Sequence, residues 1–151
     1  MADGLYQNYI NNMQGSGTHT RVDLNGNVAI MCVLFDHATA APNLATNVDE
    51  ADLGTAGAGN DYLKADAVCA SVTAGSAGPA YGSFDHTTVT WTSVAADTFE
   101  SLVYLDQTSA TAATNPLIVN IDSATGLPLT TNGANVTFEP HASGVFQQTT
   151  A

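Results

Sequence analysis

The sequence predicts an all-β fold, a mainly antiparallel β-sandwich or jelly-roll-like barrel with one short N-terminal α-helix. Apolar residues alternate with hydroxyl and amide residues in short runs, as at Val89 and Trp91 among threonines and at Leu117, Val119 and Ile121 around Asn120. That period of two marks strands with one face on a core. Turn formers punctuate the runs at Pro42-Asn43, Gly126, Pro128 and Asn132-Gly133, and only one stretch, near the start, repeats with a helical period. A chain of 151 residues has room for one domain, with residues 1–17 as a helical arm and 18–151 as the sandwich.

Asp3 is placed to cap a helix in which Leu5, Tyr6, Tyr9, Ile10 and Met13 share one side, ending at Gly15-Ser16-Gly17. Barely three turns of helix are unstable alone, so the stripe needs a surface to rest on. Leu5, Tyr6, Tyr9 and Ile10 are therefore expected to contact a neighbouring subunit. After a weakly alternating stretch from His19 to Asp23, Asn25-Gly26 is a strong turn signal, and the run from Val28 to Phe35 is apolar on both faces. Such a run belongs in the middle of a sheet with both faces covered.

From Asp36 to Ala80 the sequence carries Pro42-Asn43, Gly54, Gly57, Gly59 and Gly75 to Pro79, and only Tyr62-Leu63 and Ala67 to Val72 qualify as strand candidates among long loops and short edge strands. Thr88 to Asp122 is the organising stretch. Leu102 to Asp106 and Leu117 to Asp122 form an antiparallel hairpin, Pro116 opens its second strand, and residues 107–115 form a solvated tip. Trp91, the only tryptophan, is expected in the core beside Val89. Val136 to Phe138 and Ser143 to Phe146 complete the sheets.

Charged residues are 11% of the chain, and fourteen acids face only Arg21 and Lys64, a formal net charge of −12. That balance disfavours nucleic acid and anionic lipid as partners. The start has no cationic, apolar leader, and no apolar run reaches membrane-spanning length, so the chain is expected to be made and kept in a cytoplasm until lysis releases it.

Little in the sequence points to chemistry. Phe35-Asp36-His37 and Phe84-Asp85-His86 repeat a tripeptide, but neighbouring residues of a strand face opposite ways, so neither copy forms an oriented Asp-His pair. Asp49, Glu50, Asp52, Asn60, Asp61 and Asp66 offer oxygen ligands for calcium, without the spacing of a known calcium loop; a solvated acidic loop is the simpler expectation. Cys32 and Cys69 are expected as buried free thiols, with a disulfide as the alternative. No nucleophile elbow, phosphate loop, metal helix or nucleotide fingerprint occurs. No catalytic residue, cofactor or metal is expected, and the chain is not expected to be an enzyme.

Taken in order, Leu5 to Met13, Val28 to Asp36, Pro42-Asn43 with Asp49-Glu50, Phe84 to Trp91, Val103 to Asp106, Pro116 to Ile118 with Ile121-Asp122, Val136 to Phe138 and Ser143 to Phe146 form a pattern that resembles small virion proteins of tailed bacteriophages. The chain departs from that pattern in the middle, where Gly59-Asn60-Asp61-Tyr62 stands in place of a Gly-Tyr turn. The resemblance implies a capsid decoration or cement protein on the capsid exterior, whose partners are the major capsid protein and copies of itself. A tail or head-fibre knob is the nearest alternative. A carbohydrate-binding β-sandwich module, with Tyr62 and Tyr81 as loop aromatics lining a groove, is a further one.

Overall fold

The computed structural model describes residues 3–13, 29–38, 41–57, 59–66, 69–74, 81–107, 109–140 and 146–149, with the backbone alone at 13, 66, 69–74, 81–85 and 146–149. In chain order the elements are β1 (Gly4–Leu5), α1 (Gln7–Met13), β2 (Ile30–Phe35), β3 (Tyr62–Asp66), β4 (Cys69–Ala74), β5 (Tyr81–His86), β6 (Val89–Trp91), β7 (Thr98–Phe99), β8 (Ser101–Asp106), β9 (Leu117–Ile121), β10 (Leu129–Thr130), β11 (Val136–Phe138) and β12 (Phe146–Thr149). Short 3-10 turns lie at Glu50–Leu53 and Ala112–Thr114. The fold is all-β, with one short N-terminal helix.

The largest sheet runs β1-β9-β8-β2-β3, antiparallel throughout. Every residue of β2 pairs with β8, from Ile30 opposite Asp106 to Phe35 opposite Ser101, and Met31 to Phe35 also pair with β3. The doubly apolar run therefore sits inside the sheet, as its pattern demands. Ile30, Cys32 and Leu34 lie on one face with Leu102 and Tyr104; Met31, Val33 and Phe35 lie on the other with Ser101 and Val103. The β8–β9 hairpin forms as expected, with a bulge between Tyr104 and Leu105.

Each face of this sheet carries a separate layer. Over the first, β6 pairs with β11, Val136 opposite Trp91 and Phe138 opposite Val89. Trp91, 4% exposed, donates its Nε1–H to the Leu63 carbonyl of β3 at 3.2 Å, so its ring is core and its one polar atom is satisfied. Two further sheets pair β7 with β10 and place β5 between β4 and β12. Over the second face lie α1 and the 41–57 segment, with Leu53 and Glu50 buried.

The N-terminal segment differs from expectation. Asp3 does not cap the helix; its carboxylate accepts hydrogen bonds from the backbone N–H groups of Asp122 (2.7 Å) and Ser123 (3.0 Å) and from the Ser123 hydroxyl. Gly4 and Leu5 form an edge strand on β9, opposite Asn120 and Val119, and the helix begins only at Gln7. The exposed polar groups of β9 outcompete a first helical turn because a strand edge must be satisfied along its length. Tyr6, with no exposure, and Tyr9, 3% exposed, pack into the chain's own core. Both were expected to meet a neighbouring subunit, and this chain already covers them; Leu5 and Ile10 are half-buried. Residues 4–13 thus contribute an edge strand to the large sheet and two tyrosines to the core.

Tyr81, expected in a loop, lies in β5 opposite Thr149. The turn at Asn25-Gly26, the helix stop at 15–17, the His19 to Asp23 stretch, Val28, and the segments 67–68, 75–80 and 143–145 lie outside the described residues.

Trp91→Ala should cost about 3 to 5 kcal/mol, a large share of the roughly 5 to 15 kcal/mol that holds a domain of this size. Chemical denaturation checks the loss, and blue-shifted emission from the native chain checks the burial. Deleting residues 2–14 should abolish cooperative unfolding followed by circular dichroism, because it strips Tyr6 and Tyr9 from the core and exposes the β9 edge.

Candidate functional site

Glu50 is the most constrained carboxylate among the described residues. It is 3% exposed, at the start of a 3-10 turn whose N-cap is Asp49. Its Oε1 accepts from the Tyr62 hydroxyl at 2.8 Å and the Lys64 ammonium at 2.6 Å, and its Oε2 accepts from the Asn115 amide at 2.7 Å. Burial alone would raise its pKa, but the Lys64, Asn115 and Tyr62 donors outweigh it, and the carboxyl lies below its ordinary value. Glu50 is consumed as an internal tie.

Three other acids proposed for calcium accept backbone hydrogen bonds, although Asp52 is exposed, and the Asp66 side chain lies outside the described residues. Asp49 Oδ1 accepts from the Ala51 N–H at 3.1 Å, Asp52 Oδ2 from Val48 and Asp49 N–H at 2.6 and 3.3 Å, and Asp61 Oδ2 from the Thr55 N–H at 2.7 Å. Asn60 donates to the Ala56 carbonyl. Gly54, at φ +95°, leaves room for the Asp61 carboxylate where any Cβ would collide with it. Among the described residues no three potential ligands converge. The Asp49–Asp52 capping box was open to sequence inspection, since an N-cap acid followed three residues later by another is its signature.

The two Phe-Asp-His copies both fall at strand ends. His37 Nε2 lies 2.9 Å from Ser101 Oγ, and its backbone N–H donates to Glu100 Oε2 at 2.9 Å. Asp36 instead accepts from the Ala38 N–H at 2.7 Å. A serine hydroxyl on an imidazole is the start of a nucleophilic pair, yet Ser101 is wholly buried in β8, where no substrate carbonyl reaches its oxygen. Burial depresses the His37 pKa more than Glu100, Asp122 and Asp36 raise it, which keeps the ring neutral at neutral pH. His86 is buried with Nδ1 2.6 Å from the Thr87 carbonyl and Nε2 2.6 Å from the Tyr104 hydroxyl. The carbonyl can only accept, so Nδ1 carries the proton and Nε2 accepts from tyrosine. The Asp85 side chain lies outside the described residues.

Cys32 is a free, buried thiol whose burial pushes its pKa up to about 12; the Cys69 side chain is not among those described. Tyr62, expected as an exposed aromatic, is 2% exposed and holds Glu50.

One accessible feature among the described residues is apolar. A groove of about 270 Å³ opens between the paired strands β6 and β11 and the 124–129 loop, above the sheet. Leu34 and Leu102 form its floor, Trp91, Val136 and Phe138 one wall, and Ala124, Leu127 and Leu129 the other. The aliphatic side chains of the 124–129 loop, with Val136 and Phe138, are only partly buried. Thr125, Thr137 and Asn135 supply the polar rim. Asn135 is held in place as its Oδ1 accepts from the N–H of Ser93, a turn residue at φ 52°. No lining residue is titratable. The sequence reading missed this groove, because its two walls come from segments that only the sheet pairing brings together.

Comparison of the chain with protein-family models, curated proteins and solved structures finds no match in any of the three.

Glu50→Gln should destabilise the chain by about 2 kcal/mol, less than the 3 to 5 of a fully enclosed pair because Lys64 keeps some water. The wild-type contribution is whole above the unfolded carboxyl value near 4.5 and disappears as pH falls through the lower folded value. The gap in melting temperature between wild type and variant should therefore be constant above about pH 5.5 and close on acidification.

Proposed function

We propose that the chain is a non-enzymatic structural protein of a tailed-phage virion, a capsid decoration protein that binds the coat lattice from outside and reinforces it. The observation that supports a binding role is the contrast between its groups. Glu50, Asp49, Asp52, Asp61 and His86 are spent on internal hydrogen bonds, while a half-exposed apolar groove is left to meet a partner. Exposed apolar surface of this kind marks interaction sites.

The virion assignment comes from the order of sequence pieces, and the low-charge, hydroxyl-rich composition is compatible with life in a particle. Repetition on a symmetric shell turns a modest groove contact into durable attachment. The partners are then the major capsid protein and neighbouring copies, with synthesis in the host cytoplasm. A tail or head-fibre knob uses the same surface at another place on the particle. With Tyr62 buried, the carbohydrate module loses the aromatic that was to stack on a sugar.

Virions produced from the genome that encodes this chain, labelled with gold-conjugated antibody against it, should carry label over the head surface in electron micrographs. Label confined to tails or fibres would move the protein to the knob alternative, and particles without label would overturn the virion assignment.

A further inference from the structure

We propose that the groove between the paired strands β6 and β11 and the 124–129 loop takes a bulky apolar side chain presented by a basic protein segment, with Lys or Arg flanking the anchor; this deepens, and rests on, the binding role proposed above.

The groove's size excludes a larger occupant. About 270 Å³ lies just under the roughly 300 to 1,000 Å³ of sites that enclose whole small molecules. It suits one anchoring side chain, in the way interface hot spots seat an aromatic or aliphatic residue in a desolvated pocket. The lining contains no charge, so the seated group must be neutral: nothing there would compensate a buried ammonium or carboxylate.

The surroundings select the flanks. Residues 86–140, which hold nearly the whole groove, contain Asp97, Glu100, Asp106, Asp122 and Glu139 and neither lysine nor arginine. Exposed Glu139 adjoins Phe138 on one wall. Asp97 sits beside the other, because its carbonyl accepts the Thr131 N–H next to β10. Of the chain's two strong cations, Lys64 is paired with Glu50 at 2.6 Å, and Arg21 lies outside the described residues. A low-dielectric groove with acids beside it attracts the opposite sign of charge and repels its own. A second copy of this chain, itself at −12, is for that reason a poor occupant, as are nucleic acid and anionic membranes.

Trp91 lines the groove and is the sole tryptophan, so its fluorescence reports occupancy in the full-length chain. Titration with the peptide amide Lys-Lys-Phe-Lys-Lys should shift its emission saturably. Affinity should fall about tenfold or more when Ser replaces Phe, and again between about 50 and 500 mM salt. Replacing the lysines by glutamates should abolish binding. Thr137→Lys and Asn135→Lys alter exposed rim positions; each should weaken the basic peptide about tenfold with an unchanged melting temperature.

Equal binding of the glutamate peptide, indifference to Thr137→Lys and Asn135→Lys, or no emission shift and no calorimetric heat with the basic peptide would each overturn the assignment. So would concentration-dependent self-association that shields Trp91 in place of peptide. Peptide binding by a chain missing from virions would remove the virion role and keep the groove. Labelled virions without peptide binding would do the reverse.

Discussion

The buried Glu50 carboxylate holds the lower layer of this protein to its sheet. Its three side-chain donors come from β3 and from the segment leading into β9, so one anion joins two parts of the sheet otherwise separated by β8 and β2. Asn115 reinforces the junction: its carbonyl accepts the Glu50 N–H at 2.9 Å and its Oδ1 accepts the Ser109 N–H at 3.1 Å. A charge in that position is tolerable only because its oxygens are satisfied, and loss of any one donor leaves the rest under strain of desolvation. The 41–57 segment, which has little apolar bulk of its own, depends on this tie and on Leu53 for its position.

Local pattern made the upper half of the molecule legible. The alternation around Val89 and Trp91, the doubly apolar run ending at Phe35 and the Leu102–Ile121 hairpin are short-range signals, each expressing which face of a strand meets the core. What stayed hidden was polar and long-range. Asp3 bonds to residues 119 and 120 positions away, and no window of sequence displays that partner. The helical stripe of Tyr6 and Tyr9 was visible, but periodicity states only that a side must be covered and is silent on whether the cover belongs to the same chain. The groove eluded inspection for a related reason: Leu127, Leu129 and Val136 look like ordinary strand and loop residues until the sheet below leaves them half-covered.

Acids engaged in internal hydrogen bonds also shape the surface. A carboxylate that caps a turn or pairs with Lys64 contributes less to the outside field than its formal charge suggests, yet the imbalance of fourteen acids to two strong cations cannot be absorbed internally. The chain keeps a strong net negative charge, while the groove described above is lined without any charge. That separation of attraction from general repulsion favours contact at a single place on the molecule.

The edge pairing of Gly4 and Leu5 with β9 sets an order of events during synthesis. The first strand leaves the ribosome more than a hundred residues ahead of its partner, so the sheet closes last at the end that was made first, and loop-closure entropy makes that step slow. Until it happens the β9 edge is open. The same two residues of another nascent copy present identical hydrogen-bonding groups to it, and an exchanged N-terminus would link two chains through bonds that each would otherwise make within itself. Crowded, simultaneous translation of many copies is the condition under which such exchange competes with proper closure.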